Sequence, residues 1–398
     1  MSELYGTEKG AEAGPEVGDQ GKDQVSWDFS EDTAAPEEPL EPAEVDAWAD
    51  QDWASGEAEP LEPLEPMQAG DLVEWGEFQD DTPEAPEAPD EADAPETIHE
   101  VVDRPAVEHL YDAPISPARY ADLINAGDQP IPLFDGPPSR DQTEQGELSD
   151  CGVIATLGSV AGHRPEAISD AIQQNEDGTY TVRLHEARTD SDGFTRPTGR
   201  QLELTVTPDL LEYEDAPGEP VLARMEGSAW CALMEKAMAG VDQTWDAERR
   251  AEWEQEWSEE RVYEGLGEGP TPEGYERLNR GSTSIQRAEM LTQLTGEESV
   301  VYDFPKGPDA YDQLLDHFAV QLSEGKPVLT GSRGLEDDDD KLPGGVVEGH
   351  VYEVVGVQDG KVHLRNPWNE DDPEPLAEKD FMDAFQPRGS RGDYTTLF

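Results

Sequence analysis

The sequence predicts an α+β fold behind a disordered, acidic N-terminal segment, and three observations carry that reading. Apolar residues recur at helical spacing in some stretches and alternate as strands do in others, and the two kinds are partly segregated along the chain. Negative charge and proline concentrate in the first quarter, where apolar periodicity is lacking. From about Tyr111 onward, periodic apolar runs, turn signals and mixed charge take over, a length that can bury a sizeable core in two lobes.

The N-terminal expectation follows from charge and proline. Residues 1–100 hold 32 acidic side chains against Lys9 and Lys22, and include the near-repeats EPLEPLEP (59–66) and PEAPEAPDEADAPE (83–96). Proline interrupts helix and sheet ladders and like charges repel, so burial cannot offset the ordering entropy. Residues 1–105 are therefore expected to be disordered. Aromatics punctuate the stretch as Trp27 with Phe29, Trp48 with Trp53, and Trp75 with Phe78. They are either sparse apolar content in a solvated tail or short docking segments that fold on a partner protein or on the chain's own folded part.

The folded part reads in order as follows. CGVIATLGSVA (151–161) is helical, with Ile154, Leu157 and Ala161 on one face and Ser149 or Asp150 as cap. A short helix follows over 165–174. TYTVRLHE (179–186) and QLELTVTP (201–208) alternate as strands around a polar turn. SAWCALMEKAMAG (228–240) has helical spacing, and 244–264 reads as an exposed helix with Trp253 and Trp257 one turn apart. Helices are expected over 284–294 and 310–324, and a buried strand at PVLTG (327–331). Last comes a hairpin, GHVYEVVGV and KVHLRNPW joined by Asp359-Gly360.

Composition excludes several function classes. Of 398 residues, 27 are Lys or Arg and 93 Asp or Glu, a net charge of −66. Phosphate backbones and anionic membranes need a basic surface, so no nucleic-acid or membrane partner is expected. Two cysteines build neither a disulfide scaffold nor a four-cysteine zinc site. No run approaches the roughly 18 apolar residues of a membrane span, and the start lacks the basic-then-apolar pattern of a secretory signal. A cytoplasmic location is the expectation.

Cys151 and Cys231 are the candidate nucleophiles. Cys231 lies mid-helix among apolar neighbours, as a small core residue does. Cys151 lies at the first turn of a helix, where unpaired backbone N–H groups and the helix dipole favour a thiolate. A cysteine nucleophile needs a base and a group to orient it. His350 opens the last hairpin and Asn366 closes it, so the local fold brings them together. A strict two-residue turn puts them on opposite faces, whereas a one-residue bulge puts them on the same face. On the same face, the Asn366 amide oxygen fixes the imidazole tautomer, and Trp368 covers the bond. Gln145, six residues before Cys151, offers an amide N–H to a developing oxyanion. The remaining histidines (His99, His109, His163, His185, His317 and His363) have no evident catalytic partner.

Three segments resemble the calpain family of papain-like thiol proteases: Gln145-Gly146-Glu147-Leu148-Ser149-Asp150-Cys151, then Gly349-His350-Val351-Tyr352, then Leu364-Arg365-Asn366-Pro367-Trp368. Ser228-Ala229-Trp230 with Leu233–Ala237 is similar to the helix that packs the cysteine lobe, and the likeness covers roughly 130–380. Ser149 stands where the family usually has glycine, and Gly152 where it usually has tryptophan. The resemblance implies a papain-like two-lobed protease core over 106–398. Lobe one would cover about 111–300 with Cys151, and lobe two about 301–398 with His350 and Asn366. It implies a cysteine endopeptidase for protein substrates, needing no cofactor for the chemistry, with calcium as an activator. No EF-hand loop is present, and the acidic loops 336–340 and 370–372 are the weak calcium candidates. The alternatives are a catalytically inactive relative whose acidic aromatic tail docks partners, and a thiol-dependent acyl transferase using the same residues.

Overall fold

The computed structural model describes residues 96–107, 118–127, 129–190, 193–225, 227–263, 269–335, 341–387 and 391–398. The expectations for the tail aromatics, for His109 and for the loop 336–340 fall outside the described residues.

The elements, in chain order, are β1 (Thr97–Val102), β2 (Ala118–Asp122), α1 (Cys151–His163), α2 (Pro165–Ala171), β3 (Ile172–Gln174), β4 (Tyr180–Thr189), β5 (Phe194–Val206) and β6 (Asp209–Tyr213). After them come α3 (Trp230–Gly240), α4 (Ala247–Tyr263), α5 (Gly274–Leu278), α6 (Ser284–Thr295), β7 (Ser299–Asp303), α7 (Ala310–Ser323) and β8 (Val328–Gly331). The chain ends with β9 (Val351–Gln358), β10 (Lys361–Arg365), α8 (Glu378–Phe385) and β11 (Asp393–Leu397). The fold is α+β. Its main sheet runs β10-β9-β8-β11-β7-β5-β4-β3, every neighbour antiparallel, with β1 parallel beside the second half of β5. β2 and β6 form a separate antiparallel pair.

Several expectations are corrected. Disorder was expected to reach residue 105, but Thr97–Val102 form a strand: Ile98 and Val102 alternate inward, and Val102 is fully buried against α3 at Gly240. The second helix stops at Ala171, because Ile172 turns extended and pairs with β4. β5 begins at Phe194, within the expected turn region, since its first residues pair with β4 and β7. α4 is not a wholly exposed helix. Trp253 and Trp257 are both buried, and the Trp253 indole N–H donates to the Pro272 carbonyl.

The apolar interior falls into two clusters. The larger joins α1 and α3 to β4, β5 and β6, and the smaller joins α7 and α8 to β9 and β10. The division does not follow the chain strictly, because Leu329, Val351 and Leu397 belong to the first cluster. β11 serves both, with Tyr394 in one and Leu397 in the other. One sheet therefore continues across the lobe boundary expected near residue 300. Among the described residues no helix is long and apolar enough to cross a membrane.

Candidate active site

Cys151 is the first residue of α1, which packs on α3, α6 and β9. The approach is held by the Ser149 N–H, which donates to Asn279 Oδ1 at 2.8 Å. Asp150 occupies the cap position, yet neither Ser149 nor Asp150 supplies a side-chain cap. The Asp150 carboxylate is buried and turned toward that of Glu235, and burial pushes both well above the ordinary carboxyl range. With both ionised, neither has a donor to share; one proton lets them hydrogen-bond.

The helix start does not make Cys151 a thiolate at rest. Burial raises its thiol above the ordinary value, more than the Val351 backbone N–H, the Arg287 cation and the Gly152 N–H lower it. Desolvation of the charged form outweighs the dipole here. Cys231 is fully buried and its thiol is pushed well up, so it fits the core role read from sequence.

The hairpin settles the face on which His350 and Asn366 sit. Asp359 and Gly360 both have positive φ (53° and 72°), as a tight two-residue turn requires. Gln358, Val357 and Gly356 pair with Lys361, Val362 and His363, but Leu364 then faces Val354, so Val355 is unpaired. That one-residue bulge puts His350 and Asn366 on the same face, and His350 Nε2 lies 2.9 Å from Asn366 Oδ1. Asn366 Nδ2 donates to the Asp371 carbonyl, and its backbone N–H donates to Asp372 Oδ1 at 2.8 Å. The amide oxygen therefore faces the imidazole and can only accept, so Nε2 carries the proton and Nδ1 holds the lone pair. Asn366 is fully buried, and the Trp368 ring covers the pair, its centroid 4.7 Å from that of His350. Burial lowers the His350 pKa below its ordinary value, against the Asn366 bond that raises it, so the resting imidazole is neutral.

Cys151, His350, Trp368 and Gln145 line one cavity of about 1120 Å³. Gln145 is where the sequence suggests, but one amide N–H is taken by the Leu148 carbonyl at 2.6 Å, which leaves the second for an oxyanion. Its own backbone N–H donates to the Pro367 carbonyl at 2.9 Å, which ties the two halves of the site together.

Some contributors had no local sequence signal. Ser332 Oγ accepts the His350 N–H at 2.9 Å and donates to the Val347 carbonyl at 2.6 Å, which fixes the backbone at His350. Arg365 Nη2 donates to the Thr143 carbonyl at 2.7 Å, and buried Glu353 pairs with Arg140, which clamps the Gln145 loop to the hairpin. The other described histidines lie outside the cavity. His317 is held between Tyr394 and Gln321, and His185 bonds Gln201, so both have the partners that the sequence did not suggest. Gly152 leaves no room for a larger residue: a Cβ there would stand 1.8 Å from Ser282 Oγ. Ser282, just before α6, and Arg287, in its first turn, fill the place beside Gly152. Among the described residues no group of three or more His, Cys, Asp or Glu side chains could hold a metal ion. No protein-family model matches the chain, and no curated protein matches its sequence.

Proposed function

We propose that the chain is a cysteine endopeptidase with a papain-like, calpain-related core that hydrolyses peptide bonds of protein substrates. The observation that carries this reading is the His350–Asn366 hydrogen bond under Trp368, on the wall of a cavity that Cys151 also lines. Support for a two-lobed core comes from the two apolar clusters, one behind α1 and one behind the hairpin that bears the base.

In this reaction the Cys151 Sγ attacks the scissile carbonyl as its proton passes to His350 Nδ1. Transfer between neutral partners is the step a positioned base accelerates, by about 10²–10⁴-fold. Asn366 holds the resulting imidazolium in place through Nε2–H. The oxyanion accepts from the Cys151 backbone N–H, unpaired at the start of α1, and from the second Gln145 N–H. Collapse expels the amine, which takes the proton from His350. Water, deprotonated by the same imidazole, then cleaves the thioester and restores the thiol. An amine in place of water would make the outcome acyl transfer.

A second reading, an inactive calpain-like interaction protein whose acidic tail docks partners, has one observation in its favour. The thiol accepts from the Val351 N–H, and among the described residues no hydrogen bond joins it to His350. Calcium activation is implied by the resemblance alone.

The test is hydrolysis of labelled casein by the wild-type chain and Cys151→Ala, each with calcium and with a chelator. Hydrolysis abolished by the substitution supports the protease, and the chelator arm reads calcium dependence. Equal release from both chains, or none from either, including after removal of residues 1–95, sinks the proposal in favour of the interaction protein.

A further inference from the structure

We propose that Arg287 is a positioning residue for the nucleophile, a buried guanidinium beside the first turn of α1 that stabilises the Cys151 thiolate as it forms. This rests on Cys151 being the nucleophile.

Four observations carry it. First, α6 packs directly on α1, and Arg287 is 3% exposed within that contact. Second, Arg287 reaches the first turn of α1 alongside Ser282: a Cβ on Gly152 would stand 3.5 Å from Arg287 Cδ, behind the nearer Ser282 side chain. Third, the guanidinium is incompletely satisfied. Nη1 donates to the Ser282 carbonyl at 2.7 Å and Nη2 to Ser284 Oγ at 2.8 Å, while Nε has no partner. Fourth, its one carboxylate, Asp393, lies 4.0 Å away and is 41% exposed, so it neutralises the cation only in part.

A buried cation with an unused donor is costly unless an anion forms beside it. The thiolate is that anion, present when the proton has left for His350. The groups that bear on the thiol are Asp150, which opposes ionisation, the Val351 and Gly152 N–H groups and Arg287, which favour it, the buried Tyr352 hydroxyl, and His350 on the wall of the same cavity. Arg287 is the full positive charge among them while the imidazole is neutral.

The experiment follows alkylation of Cys151 by iodoacetamide against pH in the full-length chain, with peptide mass mapping to separate it from Cys231. Arg287→Met should move the midpoint up by about one pH unit or more, with a smaller rise in Arg287→Lys. Asp393→Asn, which keeps an acceptor for Ser284 but removes the competing charge, should move the midpoint down. Unchanged midpoints in folded Arg287→Met overturn the proposal. If that variant does not fold, an unchanged or raised midpoint in Asp393→Asn does so. Alkylation needs no substrate, so the outcomes separate: shifted midpoints in a chain that leaves casein intact sink the protease reading and uphold Arg287. Unshifted midpoints in an active protease sink Arg287 alone.

Discussion

At the scale of single residues, the candidate set that the fold brings together was legible because each member stands in a locally recognisable place. Cys151 opens a helix, His350 and Asn366 bracket a hairpin, and Gln145 lies just upstream of Cys151. What was not legible is the charge state of the thiol, since burial depends on side chains brought from far along the chain. Arg287 and Ser332 escaped for the same reason: nothing near them in sequence points to Cys151 or His350. The Asp150–Glu235 pair gives this scale its prediction. Burial raises both carboxyls, so the folded chain keeps a proton that the unfolded chain releases above about pH 4. That contribution to stability is complete at low pH and is lost as pH rises through the raised values. In Glu235→Gln the amide supplies the bridging hydrogen at every pH, while its oxygen still accepts the Ala223 N–H, 2.7 Å away in the native chain. Its melting temperature should fall less than that of wild type between about pH 5 and pH 8. Parallel slopes in the two proteins would show that the pair does not share a proton.

At the scale of elements, apolar periodicity located the helices α1, α3, α6 and α7 and the closing hairpin. The bulge at Val355 was beyond reach, because register depends on what packs against each face rather than on the turn. The short strands β7 and β11 were not read from sequence either, as five residues carry little periodicity and their partners are remote. β1 was missed because it follows a long acidic stretch that dominates local composition. Chains starting at residue 96 and at residue 106 should therefore differ. The second loses the ladder with β5, the fully buried Val102 and the carbonyl of Pro105 that accepts the Tyr120 hydroxyl. Burial of one valine is worth about 1.5–3 kcal/mol, so the shorter chain should melt about 2–5 °C lower. Equal melting temperatures would show that β1 adds nothing to the fold.

At the scale of the whole molecule, the net charge of −66 and its excess in the first quarter were evident from the sequence, but which charges pair was not. Many arginines of the folded part sit in ion pairs, such as Arg249 with Glu289, Arg277 with Asp242 and Arg200 with Glu186. Exposed pairs contribute little each, whereas the excess of carboxylates repels over longer distances. Raising sodium chloride from about 20 mM to about 500 mM shortens the screening length several-fold, and the melting temperature should rise. A fall would mean that the ion pairs outweigh the repulsion.

The place of β11 in the sheet has a consequence for how the protein is made. Synthesis is vectorial, and the strand that fills the slot between β8 and β7 is delivered after every other strand of that sheet. Until it arrives, β7 has only the two-residue contact with β5, and β8 is an open edge. The nascent chain thus carries Cys151 and His350 out of the ribosome well before the seam that unites their surroundings can close. A chain caught in mid-translation would hold both side chains without a completed frame around them, so the candidate site is whole only when the last strand is in.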